Sequence, residues 1–112
     1  MSLWDRLRGS AGGGRSAEVT GYLRDWAGAR TGVEAFVEPR TMVTETTVLF
    51  VAQDGEWTRR RVSSPEAAKK LARSLRIPIY DVQLVGYPRR MRDYDARRRV
   101  SRERDRREDL EG

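Results

Sequence analysis

Residues 48–62 read VLFVAQDGEWTRRRV, two strand-like runs on either side of an Asp-Gly pair. The first run is rich in β-branched and aromatic residues, which suit the pleated backbone of a strand. Asp54-Gly55 is a strong short-range signal for a two-residue hairpin turn, because both central residues of that turn take positive φ. The stretch therefore predicts an antiparallel hairpin at the centre of the fold.

The flanking segments extend this hairpin into a three-strand meander between two helices. Residues 33–39 alternate apolar and polar side chains, which predicts a first strand. Apolar residues recur at helical spacing after Ser16, and Ser64 with Pro65 is a typical helix start. Residues 79–85 predict a short fourth strand.

The sequence divides into three parts. Residues 1–15 contain a glycine cluster and predict a flexible N-terminal segment. Residues 16–87 predict the α+β domain, a small antiparallel sheet (the three-strand meander plus the short fourth strand) packed with two helices. Residues 88–112 carry ten arginines and seven acids, which predicts a charged, Arg-rich C-terminal helix or disordered tail.

The composition argues against an enzyme. The chain has no cysteine and no histidine, which removes thiolate and imidazole metal ligands and the usual nucleophile–base pairs. The glycines of residues 9–14 follow no strand and match no phosphate-binding loop. We therefore expect no catalytic residues, no cofactor and no metal.

The chain has no secretory signal and no apolar run near the ~20 residues that cross a bilayer. We therefore expect a cytoplasmic protein with no membrane segment. The formal net charge of +6 favours anionic partners, with nucleic acid first. All but two of the 23 basic residues are arginine, a group suited to phosphate recognition. A GC-rich genome also produces that bias, and this explanation is the favoured one.

The hairpin predicts a surface for single-stranded nucleic acid. A two-residue turn would place Phe50 opposite Arg59 and put both on one sheet face with Trp57 and Arg61. Exposed aromatic and arginine side chains on a sheet bind bases by stacking and phosphates by charge. A one-residue slip in register would exchange the faces and make the two aromatic residues part of the core.

A second basic cluster follows the fourth predicted strand, where Arg89, Arg90 and Arg92 lie between Tyr87 and Tyr94. Such a cluster can clamp phosphates. The acids among these arginines indicate, as the alternative, a solvated helix with internal ion pairs. The predicted nucleic-acid-binding residues are Phe50, Trp57, Arg59, Arg61, Arg89, Arg90 and Arg92.

Two resemblances accompany this interpretation. The order helix, meander, helix over residues 16–76 looks like the double-stranded RNA-binding domain, although Glu66 stands where that family places lysine. VEAFVEPRTMVTETTVLFVAQDGEWTRRRV and YDVQLVGYPRRMRDYDARR look like segments of a short, uncharacterised family of actinobacterial proteins. That resemblance covers residues 32–98, implies a compact α+β domain and brings no established activity.

Two functions follow as hypotheses. The leading one is a small basic module that binds RNA or another nucleic acid. The alternative is a protein–protein interaction or adaptor module that docks on a larger complex. Its docking peptide would be the apolar N-terminal stretch with Leu3, Trp4 and Leu7 on one helical face.

Overall fold

The computed structural model describes the backbone of residues 3–111 and the side chains of residues 16–110. The predicted α+β class is confirmed. In the described part of the chain, no helix combines the length and hydropathy that a membrane-spanning segment requires. The elements in chain order are α1 (Leu3–Gly28), β1 (Glu34–Glu38), β2 (Thr47–Val51), β3 (Trp57–Arg61), α2 (Pro65–Ser74), β4 (Ile79–Asp81), α3 (Val82–Val85) and α4 (Arg89–Glu111).

The four strands form one sheet in the order β3-β2-β1-β4. The predicted meander is present, with β2 antiparallel to both β1 and β3. However, β4 runs parallel to β1, so the sheet is mixed rather than wholly antiparallel. The reason is the connection, since α2 returns the chain along the sheet and the next strand then runs in the direction of β1 and β3.

The fourth strand is shorter than predicted. It ends at Asp81, whose side chain accepts a hydrogen bond of 2.8 Å from the backbone N–H of Gln83. This contact caps the first turn of α3, as an aspartate does at a helix N-terminus. Residues 82–85 are therefore a helical turn and not part of a strand.

The second half of α1 and all of α2 cover one face of the sheet. This core holds Leu23 and Trp26 from α1 with Leu71 from α2. The sheet contributes alternate residues, because successive side chains of a strand point to opposite faces. The buried side chains from β1, β2 and the residues flanking them are Val33, Ala35, Val37, Val48, Phe50 and Ala52.

The first turns of α4 lie on the opposite face. Met91 is buried there against Phe36, Leu49 and Val51, with Trp57 packed at the edge of the cluster. The central strands β1 and β2 are consequently covered on both faces. The start of the Arg-rich segment is part of the packed structure.

One helix boundary differs from the predicted ones, and the C-terminal segment takes the helical form of its two predicted alternatives. The helix α1 begins at Leu3, well before Ser16, so the predicted start is wrong; a helix that has nucleated extends readily into neighbouring residues. The docking hypothesis on Leu3, Trp4 and Leu7 lies outside the described side chains. At the other end α4 continues to Glu111 as a helix.

Candidate nucleic-acid interface

The hairpin turn has three residues between its last paired positions, not two. The backbone N–H of Ala52 donates to the carbonyl of Glu56 at 2.8 Å, and that of Gly55 donates to the carbonyl of Ala52 at 3.0 Å. Only Gly55 takes a positive φ, of 95°, whereas the predicted turn requires it at both central residues. The pairing therefore shifts by one residue, and Phe50 lies opposite Thr58.

This shift corrects the predicted position of Phe50. The side chain is fully buried in the core beneath α1 and α2, so it cannot stack on a base. The outward face of β3 still carries Trp57, Arg59 and Arg61. Their neighbours on β2 are Val51, Leu49 and Thr47, none of which is an aromatic residue.

Trp57 is half-buried by α4 and is not an open stacking platform. Its indole Nε1 donates a hydrogen bond of 2.8 Å to the carboxylate of Asp95. Its ring packs on the cluster that contains Met91. The guanidinium carbon of Arg59 lies 5.2 Å from the ring centroid, so the Trp57 ring already has a cation–π partner within the chain.

Arg59 is neutralised by Glu38, which is the centre of a polar cluster. The Arg59 guanidinium makes a bidentate contact with the carboxylate. Its Nε lies 2.6 Å from Oε1, and its Nη2 lies 3.0 Å from Oε2. Thr47 Oγ1 donates to Oε1 at 2.7 Å, and the Tyr87 hydroxyl donates to Oε2. An arginine held in this way is already paired and is poorly placed to bind a phosphate.

Hydrogen bonding sets the protonation state of this cluster. Burial raises the pKa of Glu38, but the hydrogen bonds from Arg59, Tyr87 and Thr47 together lower it more, so the net pKa lies below 4.5. The same contact with Glu38 raises the pKa of Arg59 and that of the Tyr87 hydroxyl. The carboxylate therefore remains charged at neutral pH.

Glu38→Gln is expected to weaken the dependence of stability on acid pH. Because the folded-state pKa of Glu38 is lowered, its carboxylate stabilises the fold above the ordinary value of 4.5, and this contribution is lost as pH falls through the folded-state value. The difference between the free energies of unfolding at pH 7 and pH 3, measured in urea, should be smaller in the variant. Its free energy of unfolding at pH 7 should also be lower than that of the unmodified protein. Glu45→Gln is the control, since Glu45 lies 3.7 Å from Arg61 in an exposed pair worth little. An unchanged pH dependence in Glu38→Gln would contradict this role.

A cavity of about 720 Å³ adjoins the Glu38 cluster. Its walls are the loop between β1 and β2 and the start of α3. Arg61 lines it and has an exposed side chain. No group of three or more carboxylate, imidazole or thiol side chains suited to a metal occurs among the described residues.

Arg90 joins α4 to the sheet. Its Nη2 lies 2.7 Å from the Glu34 carboxylate, and its Nε donates to the carbonyl of Ala52 at 3.0 Å. The side chain thereby ties the first turn of α4 to β1 and to the end of β2. Among the predicted binding residues, Arg89 and Arg92 keep an exposed side chain without an ion-pair partner in residues 16–110, and Arg61 has only its exposed pair with Glu45 at 3.7 Å.

The helix α4 adds Arg99 and Arg102, which are not among the seven predicted binding residues. Arg99 follows Arg92 by seven residues, which brings these two side chains to the same side of the helix, and Arg89 and Arg102 flank them so that the four span about 140° of its circumference. We call Arg89, Arg92, Arg99 and Arg102 the outer arginine row. All four are exposed, and none forms an ion pair within residues 16–110. Helical periodicity of arginine, rather than the count of charges, is the signal that identifies the row.

The helix leaves the rest of the molecule soon after its second turn. Arg97 Nη2 donates to the carbonyl of Asp54 at 2.8 Å, which holds the helix at the hairpin turn. Every residue from Ala96 to Leu110 is exposed. Glu103 pairs with Arg106 and Arg107 within this stretch, at i+3 and i+4. The later half of α4 is thus accessible from all sides.

No protein-family model, curated protein or solved structure matches the chain. A function must therefore be inferred from the surface chemistry of the protein. The most distinctive part of that surface is the outer arginine row.

Proposed function

We propose that the chain is a small basic module that binds RNA or another nucleic acid through the outer arginine row of α4. The observation that carries the proposal is four exposed arginines on one side of a helix, without an ion-pair partner in residues 16–110. Guanidinium groups contact phosphates through paired N–H donors, and such contacts dominate the affinity of proteins for nucleic acid.

The spacing of the row suits a phosphate backbone. At 1.5 Å of rise per residue, Arg92 and Arg99 are about 10 Å apart along the helix, and the whole row extends roughly 20 Å. The helix contains neither asparagine nor glutamine, which read adenine, so contact of arginine with guanine is the bidentate base readout that remains to it. We therefore expect backbone binding with little preference for base sequence.

The sheet contributes less to this proposal than the sequence indicated. Phe50 is in the core, Trp57 lies under α4, and Arg59 is paired with Glu38. Arg61 remains exposed on the outward face of β3. It is the one predicted residue of the sheet that keeps an accessible charge.

Salt dependence tests the proposed function. The dissociation constant for a fluorescein-labelled, mixed-sequence RNA of about 20 nucleotides should rise with salt in a fluorescence anisotropy titration. Four phosphate contacts to a single strand predict a slope of about 3 in a plot of log Kd against log salt concentration. A second RNA of unrelated sequence should give nearly the same curve. Absence of binding to both RNAs at about 20 mM salt would overturn the proposal.

A protein-binding role is the second candidate, and exposed apolar side chains favour it. Met42 and Val43 at the tip of the loop between β1 and β2 are fully exposed, and Leu84 in α3 is 84% exposed. A partner protein would cover such side chains. Affinity capture with and without nuclease separates the two functions, because only a directly bound protein stays after the nucleic acid is digested.

A further inference from the structure

The pentapeptide Arg-Arg-Arg-Val-Ser occurs twice, at residues 59–63 and 97–101. The first copy occupies β3 and the residues after it, and the second lies in α4. The same five residues thus carry an exposed serine, Ser63 or Ser101, in two different structural settings.

The first copy is fixed in the sheet. Arg59 is bound to Glu38, and Arg60 pairs with Val48 of β2. The Arg60 guanidinium carbon also lies 3.8 Å from the centroid of the Tyr22 ring. Drawing Ser63 and its preceding arginines into the cleft of an enzyme would break these contacts and part of the sheet.

Among residues 16–110, one hydrogen bond, from Arg97, joins the second copy to the rest of the fold. The bond from Arg97 to the Asp54 carbonyl is the last contact that the structure gives between α4 and the rest of residues 16–110. Beyond it, all residues to Leu110 are exposed. A helix end without tertiary packing opens locally at small cost, so Ser101 can reach an extended conformation.

Positive charge surrounds the Ser101 hydroxyl. Ser101 lines a shallow cleft of about 420 Å³ together with Arg97 and Arg104, the residues at i−4 and i+3. Neither arginine has an ion-pair partner among the described side chains. An anion attached to Ser101 would therefore lie between the Arg104 guanidinium and that of Arg97, whose Nη2 also donates to the Asp54 carbonyl.

We propose that Ser101 is a phosphorylation site for an arginine-directed serine/threonine kinase that uses ATP. Arginines at the second, third and fourth positions before the serine complement an acidic substrate cleft. In the reaction the Ser101 Oγ attacks the γ-phosphorus of ATP, and the new O–P bond forms as the bond to the bridging β–γ oxygen breaks. ADP leaves with that electron pair, and the hydroxyl proton passes to the base of the kinase.

Phosphorylation would regulate the nucleic-acid site, an effect that rests on the proposed function. A phosphoserine adds about two negative charges at neutral pH. Ser101 points to a different side of α4 from its sequence neighbours Arg99 and Arg102, so the phosphate acts on the row through its charge, within the Debye length of about 10 Å, and not by direct contact. The added charges offset about half of the outer arginine row, and we expect RNA affinity at 0.1 M salt to fall roughly tenfold.

The test of the site compares the two copies in the intact chain. The full-length protein is incubated with ATP and the catalytic domain of an arginine-directed kinase, and phosphate is located by mass spectrometry. Synthetic peptides of residues 57–67 and 95–105 control for recognition, and both should be phosphorylated. In the intact chain we expect one phosphate, on Ser101, which Ser101→Ala abolishes and Ser63→Ala does not. The proposal would be overturned if Ser101 stayed unmodified in the intact chain while the peptide of residues 95–105 was phosphorylated. Phosphate on Ser63 of the intact chain would overturn it as well.

The regulatory effect is measured separately. Phosphorylated and unphosphorylated chains are titrated with the same labelled RNA, and a roughly tenfold weaker binding of the phosphorylated chain is expected. Equal affinities would overturn regulation by Ser101. If the unphosphorylated chain does not bind RNA, the proposed function fails and regulation of it fails with it, whereas the mass spectrum still decides whether Ser101 is modified.

Discussion

Gly55→Ala is expected to destabilise the protein by about 3 kcal/mol, a large part of the 5–15 kcal/mol typical of a small domain. Gly55 has a φ of 95°, a conformation that costs about 1 kcal/mol for a residue with a side chain. A Cβ there would also overlap the Arg90 carbonyl oxygen and lie 2.7 Å from its carbonyl carbon and 2.9 Å from Tyr94 Cβ. These atoms belong to the first turns of α4, so the helix would have to move off the hairpin turn.

Gly21→Ala is the matched control for this substitution. Gly21 lies within α1, and an added Cβ would meet nothing within 4 Å. Alanine should therefore stabilise the helix there by about 0.5–1 kcal/mol. Urea unfolding followed by circular dichroism measures both variants. A loss of only about 1 kcal/mol in Gly55→Ala, the cost of the positive φ alone, would mean that α4 does not dock on the turn.

The sequence predicted the element types well because each has a local signal. Alternation identified β1, and Ser64 with Pro65 identified the start of α2, where the Ser64 hydroxyl accepts from the Ala67 backbone N–H at 3.1 Å. The hairpin register was wrong because turn length depends on which residues take positive φ. An Asp-Gly pair allows both a two-residue turn and a three-residue turn with only Gly55 in that conformation.

The candidate site was harder to predict because two of its arginines pair with carboxylates that are distant in sequence. Arg59 is paired with Glu38, and Arg90 with Glu34, both on the outer face of β1. Nothing in the local sequence of either arginine indicates these carboxylates. Arg99, in contrast, was hidden in a run of mixed charge, and only the helical phase of α4 places it with Arg92.

Arg92→Glu/Arg99→Glu is expected to reduce RNA affinity roughly 100-fold at 0.1 M salt. The pair removes two phosphate contacts from the outer arginine row and puts two negative charges in their place. Both side chains are exposed and neither is in an ion pair within residues 16–110, so the fold should be retained. Circular dichroism spectra and urea midpoints should match those of the unmodified protein.

The matched variant is Lys70→Glu/Arg73→Glu on α2, which changes the net charge by the same amount at two other exposed positions. Charges farther than about 10 Å from the ligand are largely screened at this salt concentration, so we expect a loss of less than about fivefold. The most direct test of the α4 interface is the ratio of the two dissociation constants for the same labelled RNA. A ratio above about 20 is the expected result. Equal losses in the two variants, or a greater loss in the α2 pair, would contradict binding through the outer arginine row.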